Sequence, residues 1–325
     1  MKLSVDVVSF PMARPFAITG HVFTSTDTVR VTLDDGTHRG QGEAVGTYYL
    51  DETAPTMVAD LEAVAGRIDD RLSSKTIQDL LPPSGARNAL DCAFWDLRAK
   101  RAGQAVWHLL GLQPHTLTTV FTISLESASV MAARAVEAER FPQLKIKLDA
   151  EEPMERLAAV RKARPDARLI VDANQAWDFD ALQQYLPICE ALGIAMIEQP
   201  LPRGADDALE GFHSPVPLGA DESCLHLGEF PAAARRYNVL NIKLDKCGGL
   251  TEGLALVRAA REAGMRLMVG NMTGTSLSMA PSFVIGQFCQ FVDIDGPLLL
   301  ASDIEHAMEF AEGGLVSPPT PALWG

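Results

Sequence analysis

Lys145-Ile146-Lys147-Leu148-Asp149 alternates charged and apolar side chains. As a strand it would place Lys145 and Lys147 on one face and Ile146 on the other. Two neighbouring ammonium groups are costly unless something negative opposes them. Their repulsion also lowers the pKa of at least one, which is how a lysine becomes a usable base near neutral pH. Taken alone, the segment reads equally as an edge strand with two solvated lysines. The residues on either side of it in the chain decide between the two.

From Pro114 onward, apolar strand-like runs alternate with amphipathic helical runs. The strands are read at 116–123, 143–148, 168–173, 194–198, 216–221, 239–244, 266–270 and 290–295, with helices such as 153–163, 180–192 and 251–263 between them. Strand–helix alternation implies a parallel sheet, and eight strands imply a closed barrel. A doubly wound sheet would want a Gly-rich turn after its first strand, and there is none. One short helix is expected at 303–311, capped by Ser302, before a Pro-rich tail that returns to the first domain.

Before Pro114 the pattern differs. Strands are expected at 2–10, 28–34 and 38–44, the last two joined by an Asp35-Gly36 turn. Pro15–His21 reads as a loop with a lid role. Helices follow from Ala54 to Leu110, the clearest at 86–102 and ended by Gly103. The fold class is therefore α/β: a (β/α)7β modified TIM barrel at 114–299, with an α+β capping domain at 1–113 completed by the tail at about 300–325.

Composition bounds the function. The chain has 325 residues, 47% hydrophobic and 22% charged, with a net charge of −14. No basic cluster suggests nucleic acid, since Arg98–Arg101 and Arg161–Arg164 read as cationic helix ends. Five scattered cysteines fit free thiols in a cytoplasm. Met1–Phe10 reads as a strand, not a signal peptide, and no window is apolar enough for a membrane. Whether copies associate as a homo-oligomer is left open.

Three successive strands end in acids: Asp172, Glu198 and Asp221, spaced about one βα unit apart. In a barrel they aim at one point from the C-terminal ends. Converging carboxylates need a cation, and oxygen-only ligands select Mg²⁺ first and Mn²⁺ next. Lys243, in Asn241-Ile242-Lys243-Leu244-Asp245, ends the sixth strand, across the ring from Lys145 and Lys147 on the second. Lysines on opposite sides suit removal of a proton from one face of a carbon and its return to the other. Asp293 and Asp295 on the eighth strand share a face and suit a substrate ammonium group.

These residues together resemble the enolase superfamily, muconate-lactonizing-enzyme subgroup. The resemblance rests on Lys145-x-Lys147, the Asp172, Glu198 and Asp221 triad, Lys243 in its N-I-K-L-D-K-C-G-G run, and Asn88-Ala89-Leu90-Asp91-Cys92. Asp293-x-Asp295 narrows it to dipeptide epimerases of the L-Ala-D/L-Glu type, and so to an isomerase of murein peptide metabolism. The resemblance implies that Mg²⁺ binds the dipeptide carboxylate. Lys147 and Lys243 then exchange the α-proton of the C-terminal residue through an enediolate, and Lys145 supplies charge. Asp293 and Asp295 would bind the α-ammonium. Thr19, His21 and Met272 are further substrate-binding candidates.

The lid segment after Phe16 carries no arginine, which the resemblance implies for an epimerase acting on an acidic second residue. A neutral, apolar or histidine-compatible side chain therefore stands level with glutamate. The alternatives are a cycloisomerase, an o-succinylbenzoate synthase or an N-acylamino-acid racemase of the same subgroup. A non-catalytic binding barrel and a Schiff-base lyase are more distant ones.

Overall fold

The computed structural model describes residues 1–325. Its first sheet is antiparallel, formed by β1 (Lys2–Ile18), β2 (His21–Asp34) and β3 (Arg39–Val45). Helices α1 (Ala54–Val64), α2 (Ser74–Leu80), α3 (Gly85–Ala102) and α4 (Val106–Leu109) follow. The Ser84 hydroxyl accepts the Arg87 N–H and starts α3, and Gly103 ends it in the left-handed region at φ 61°. Strand β3 lies so close to α3 that a Cβ on Gly40 or Gly42 would sit 2.2 Å from a carbonyl oxygen of that helix.

Then come β4 (Leu117–Thr118), β5 (Phe121–Ile123), α5 (Ala128–Glu137), β6 (Gln143–Lys147), α6 (Pro153–Ala163), β7 (Arg168–Asp172), α7 (Phe179–Ala191) and β8 (Ile194–Glu198). They are followed by β9 (Leu218–Ala220), α8 (Phe230–Arg236), β10 (Val239–Ile242), α9 (Leu244–Cys247), α10 (Leu250–Glu262), β11 (Arg266–Val269), α11 (Ser276–Gly286), β12 (Phe291–Val292) and α12 (Gly296–Leu299). Strands β5 to β12 form one eight-stranded sheet in sequence order, and every pair within it is parallel. The edges meet where the Val120 N–H donates to the Val292 carbonyl at 2.9 Å. A plug of Val120, Ile170, Met196, Val239, Met268 and Phe291 fills the barrel interior. Met268 is therefore packing, as its place in mid-strand dictates.

Strand register sets the height of each polar side chain in the barrel. Lys147 is paired with Asp172, and Asp172 with Glu198. Glu198 is paired with Gly219, two residues before Asp221 and so on the same face of β9. The strand ends thus bring lysine and carboxylates to one level of the barrel mouth.

The capping sheet docks on this mouth through buried polar joints. Arg87 donates to the Cys247 and Gly248 carbonyls and pairs with Glu252 at 3.0 Å. Asp91 accepts the Thr251 N–H, and Glu43 accepts the Thr275 N–H and hydroxyl. In the tail, the Trp324 indole donates to the Cys92 carbonyl and the Gly325 N–H to Asp96.

Four expectations are corrected. The first strand runs on to Ile18, so Pro15–His21 is the tip of the β1–β2 hairpin and not a free loop. The run 116–123 splits, because Leu117–Thr118 pairs with tail strand β14 (Leu315–Val316) while Phe121–Ile123 joins the barrel. No helix forms at 303–311, where β13 (Phe310–Ala311) pairs with β14, and Ser302 caps nothing. The Asp303 carboxylate instead accepts the N–H and hydroxyl of Ser276 at the start of α11, which draws that segment away from helix. The fourth βα unit carries only a 3₁₀ turn, Asp207–Leu209, where the alternation suggested a helix.

Candidate active site

Alternation along β6 turns Lys145 and Lys147 into the barrel, as their spacing predicts. Both are buried. Lys145 lies deeper, its ammonium 3.0 Å from Asp172, 2.8 Å from Glu198 and 2.8 Å from Asp293. Lys147 stands 2.6 Å from Asp172 and donates to Asn174 Oδ1 at 3.1 Å. Across the mouth, Lys243 is 2.6 Å from Asp221 Oδ2. The neighbouring Lys246, wholly enclosed, holds Asp221 Oδ1 at 2.7 Å. Asn241 donates to Glu198 Oε1 at 2.6 Å.

These contacts set the protonation states. Burial alone would raise the Asp172 carboxyl, but Lys145, Lys147 and Lys243 outweigh it and hold it low. Asp221 is likewise held low against burial by Lys243 and Lys246. Glu198 has less compensation, so burial and the Asp172 charge push it up to about 7. Burial would lower the Lys145 and Lys243 ammonium groups, yet their carboxylate partners raise both.

The donor set fits a hard cation. Three oxygen-only ligands share one level, and Glu198 Oε2 and Asp221 Oδ2 are buried without a hydrogen bond of acceptable geometry. As the side chains stand, the ammonium groups lie between the carboxylates, and no three acids close on one point.

Above the lysines is a cavity of about 80 Å³. Lys147, Lys243, Asn174 and Glu222 line its polar end, and Phe16, Ile18, Phe23, Tyr48 and Met272 its apolar end. Of the further substrate-binding candidates, Met272 lines it and Thr19 and His21 do not. The Thr19 hydroxyl donates to the Leu148 carbonyl at 3.3 Å and ties the hairpin tip to the end of β6. His21 packs edge-on to Tyr48, with ring centroids 4.6 Å apart. Asp293 and Asp295 are buried and do not line the cavity. Asp293 takes Lys145 and the Asn271 amide, and Asp295 accepts the Thr122 N–H at 2.6 Å. Burial and the Asp293 charge push Asp295 up to about 8.

Sequence reasoning missed Asn174, Glu222, Asn241 and Lys246. Asn174 could have been found, because it stands two residues past Asp172 and alternation keeps it on that face. Glu222 and Lys246 lie past their strand ends, where period-2 reasoning stops. Glu222 is buried with neither oxygen hydrogen-bonded, and burial with the Asp221 charge pushes it up to about 8.

Residues 2–111 match the family described as mandelate racemase / muconate lactonizing enzyme, N-terminal domain, and residues 128–321 the one described as enolase C-terminal domain-like. The L-Ala-D/L-Glu epimerase of Escherichia coli K12 is 39% identical over 94% of this chain and 97% of its own. The N-acetyl-D-glutamate racemase of a Pseudoalteromonas species is 37% identical over 91% and 94%. An enolase family member from Agrobacterium tumefaciens, solved with sodium and L-Ala-L-Glu, superposes with a TM-score of 0.96 at 42% identity, covering 99% of both chains. A dipeptide epimerase from Methylococcus capsulatus, solved with Mg and L-Arg-D-Lys, superposes with a TM-score of 0.90 at 30% identity over 100% of this chain and 99% of its own.

Proposed function

The chain belongs to the enolase superfamily and to its dipeptide epimerase group, and from that premise we propose that it is a Mg²⁺-dependent isomerase that inverts the Cα of the second residue of a dipeptide of the L-Ala-Xaa type. The observation that carries this reading is the register that levels Lys147, Asp172 and Glu198, with Lys243 and Asp221 completing the mouth. Asp172, Glu198 and Asp221 would hold the Mg²⁺. When bound, the ion supplies positive charge against which a substrate carboxylate can carry the charge left by a departing α-proton.

The rest is done by the chain. Lys147 and Lys243 hold two proton-transfer positions on β6 and at the end of β10. One takes the α-proton, and the other returns a proton to the opposite face. Lys145, lodged among three acids, keeps a positive charge beside the substrate carboxylate. Asp293 and Asp295 receive the α-ammonium, just past β12, where the Thr122 N–H donates to Asp295. The hairpin tip, clasped by Thr19 to Leu148 and by Ser124 to Ala17, excludes water.

The second residue is neutral and apolar in this reading, because the cavity end away from the lysines presents Phe16, Ile18, Phe23, Tyr48 and Met272 and no arginine. Free thiols support a cytoplasmic setting, where peptides released from murein would be met. No helix is long and apolar enough to cross a membrane. A division at residue 113/114 is supported by the chain order, with the antiparallel strands β1–β3 before it and the barrel strands β5–β12 after it.

The test is turnover of L-Ala-L-Phe and L-Ala-L-Glu in D₂O, reading deuterium at the second Cα by mass spectrometry. Exchange into L-Ala-L-Phe, faster than into L-Ala-L-Glu, is expected; no exchange into any dipeptide would overturn the assignment. The likeness to an N-acetyl-D-glutamate racemase favours a second reading, an N-acylamino-acid racemase. Such a substrate lacks the ammonium group. Asp293→Asn with Asp295→Asn separates the two, since it abolishes dipeptide turnover and spares N-acyl substrates.

A further inference from the structure

Glu198 and Asp221, two of the three acids that would hold the cation, end neighbouring strands. Gln199, the residue after Glu198, joins them. It is buried, and its backbone is held in the left-handed region at φ 36°. A non-glycine residue keeps such a conformation only where its surroundings fix it. Its side-chain Oε1 accepts the Asp221 N–H and the Ser223 N–H, both at 3.0 Å. Its Nε2 donates to the Leu201 carbonyl at 2.8 Å and to the Ser223 hydroxyl at 2.7 Å. The Tyr237 hydroxyl lies 3.1 Å from the same nitrogen.

The neighbours fix the polarity of this amide. Two N–H groups at one end require oxygen there, and the Leu201 carbonyl at the other requires nitrogen. The Tyr237 hydroxyl therefore accepts from Gln199 and gives its own proton to Asp206 Oδ2, 2.7 Å away. An ionised carboxylate can only accept, and the other Asp206 oxygen takes Arg236 at 2.7 Å. Asp206 and Tyr237 are buried, like Gln199. A one-way chain results: the Asp221 N–H donates to Gln199, Gln199 to Tyr237, and Tyr237 to Asp206, which Arg236 holds. Hydrogen bonds that run head to tail polarise one another. Asp206 stands at the head of the 3₁₀ turn in the fourth βα unit, and Tyr237 between α8 and β10.

Resting on the reading of Asp172, Glu198 and Asp221 as Mg²⁺ ligands, we propose that Tyr237 and Asp206 are positioning residues for the cation site. Through Gln199 they fix the spacing of the Glu198 and Asp221 main chains before an ion arrives. Neither lines the cavity. Lys246 grips the Asp221 carboxylate, whereas this chain grips its backbone. Without the Tyr237 hydroxyl, Gln199 Nε2 loses an acceptor and a buried Asp206 oxygen loses its donor. The lock on the amide loosens, and with it the spacing of the two acids.

The experiment titrates Mg²⁺ alone into the protein by calorimetry, for the native chain, Tyr237→Phe and Thr251→Val. The Thr251 hydroxyl donates to Asp91 at 2.6 Å in the joint with the capping domain, so its loss removes a buried bond that reaches no acid of the site. Tyr237→Phe should raise the Mg²⁺ Kd about 10–100-fold, the usual effect of an outer partner of a metal ligand. Thr251→Val should leave it unchanged, while both variants lose stability in urea. Unchanged affinity in Tyr237→Phe, or an equal loss in both variants, would leave the chain a structural role only and overturn the proposal. Should Tyr237→Phe fail to fold, Asp206→Asn carries the test. It keeps the shape, removes the charge that draws the Tyr237 proton, and should weaken Mg²⁺ binding by a smaller factor; unchanged affinity there overturns the proposal as well. A native protein that binds no Mg²⁺ overturns the metal reading and the proposal with it. One that binds Mg²⁺ yet exchanges no dipeptide α-proton overturns the dipeptide reading and leaves the positioning role standing.

Discussion

Lys246 Nζ lies 2.7 Å from Asp221 Oδ1, and neither side chain has any exposure to solvent. Lys243 takes the other oxygen from the opposite side, so one carboxylate is gripped by two ammonium groups. Only Lys243 faces the cavity. Lys246 therefore serves to fix the Asp221 rotamer. Because Lys243 still compensates Asp221 when Lys246 is removed, the cost is that of a charged hydrogen bond, about 1.5–3 kcal/mol, and not that of an uncompensated buried charge. Lys246→Met should lose about that much stability in chemical denaturation. A loss below about 1 kcal/mol would mean that Asp221 needs no such support.

Lys147 and Lys243 approach the mouth from β6 and the end of β10, so neither can do the work of the other. Lys147→Ala and Lys243→Ala should each lower epimerisation by about 10²–10⁴-fold. Each should keep proton exchange from only one of the two epimers, because the remaining base still faces one side of the Cα. Deuterium exchange followed separately for L,L- and L,D-dipeptides reads this. Equal residual exchange from both epimers in either variant would leave the two-base arrangement without support.

Glu198, pushed up to about 7 by burial and then by Asp172, must ionise to serve as a cation ligand. Mg²⁺ affinity should therefore rise as pH climbs toward 7, up to about tenfold per unit, and flatten above it. Calorimetric titration at pH 6 in buffers of different ionisation enthalpy should show proton release. Chelation should abolish turnover, and Mg²⁺ should restore it. An affinity that stays flat between pH 5.5 and 8 would assign the ion to other ligands.

Phe23 sits opposite Phe16 in the β1–β2 hairpin and lines the apolar end of the cavity. Phe23→Arg would place a guanidinium where this chain has none. A new charge-assisted pair should raise kcat/KM for L-Ala-L-Glu relative to L-Ala-L-Phe by roughly tenfold. An unchanged ratio would show that the second side chain points elsewhere.

The barrel was legible because its signals are local and periodic. Inward positions of β6 follow from Lys145-x-Lys147, and the acids end consecutive strands. The hairpin tip was not, since Pro11 and Pro15 break the alternation that would have extended the first strand past Phe10, and a bulge restores pairing only at Phe16. Residues 303–311 misled because their helical pattern is overruled by a distant partner, the start of α11, which captures Asp303. Helix propensity is a weak prior against such a contact.

Asp245, the last acid of the Asn241–Asp245 stretch, joins the capping domain to the barrel. It accepts the Val45 N–H at 3.0 Å and the Asn88 amide at 3.1 Å. Burial pushes it up to about 7, against an ordinary value near 3.9. Below about pH 4 it is protonated both folded and unfolded. Between about 4 and 7 the folded protein keeps the proton and the unfolded chain gives it up. This group's contribution to stability is therefore lost as pH rises through that window, by up to about 1.4 kcal/mol per unit, and levels off above the folded value. Asp245→Asn keeps an acceptor for both hydrogen bonds and removes the titration. Relative to the variant, the native protein should grow steadily less stable in urea denaturation from pH 5 to 7 and change little from 8 to 9. Parallel stability profiles for the two proteins would show that the joint carries no proton.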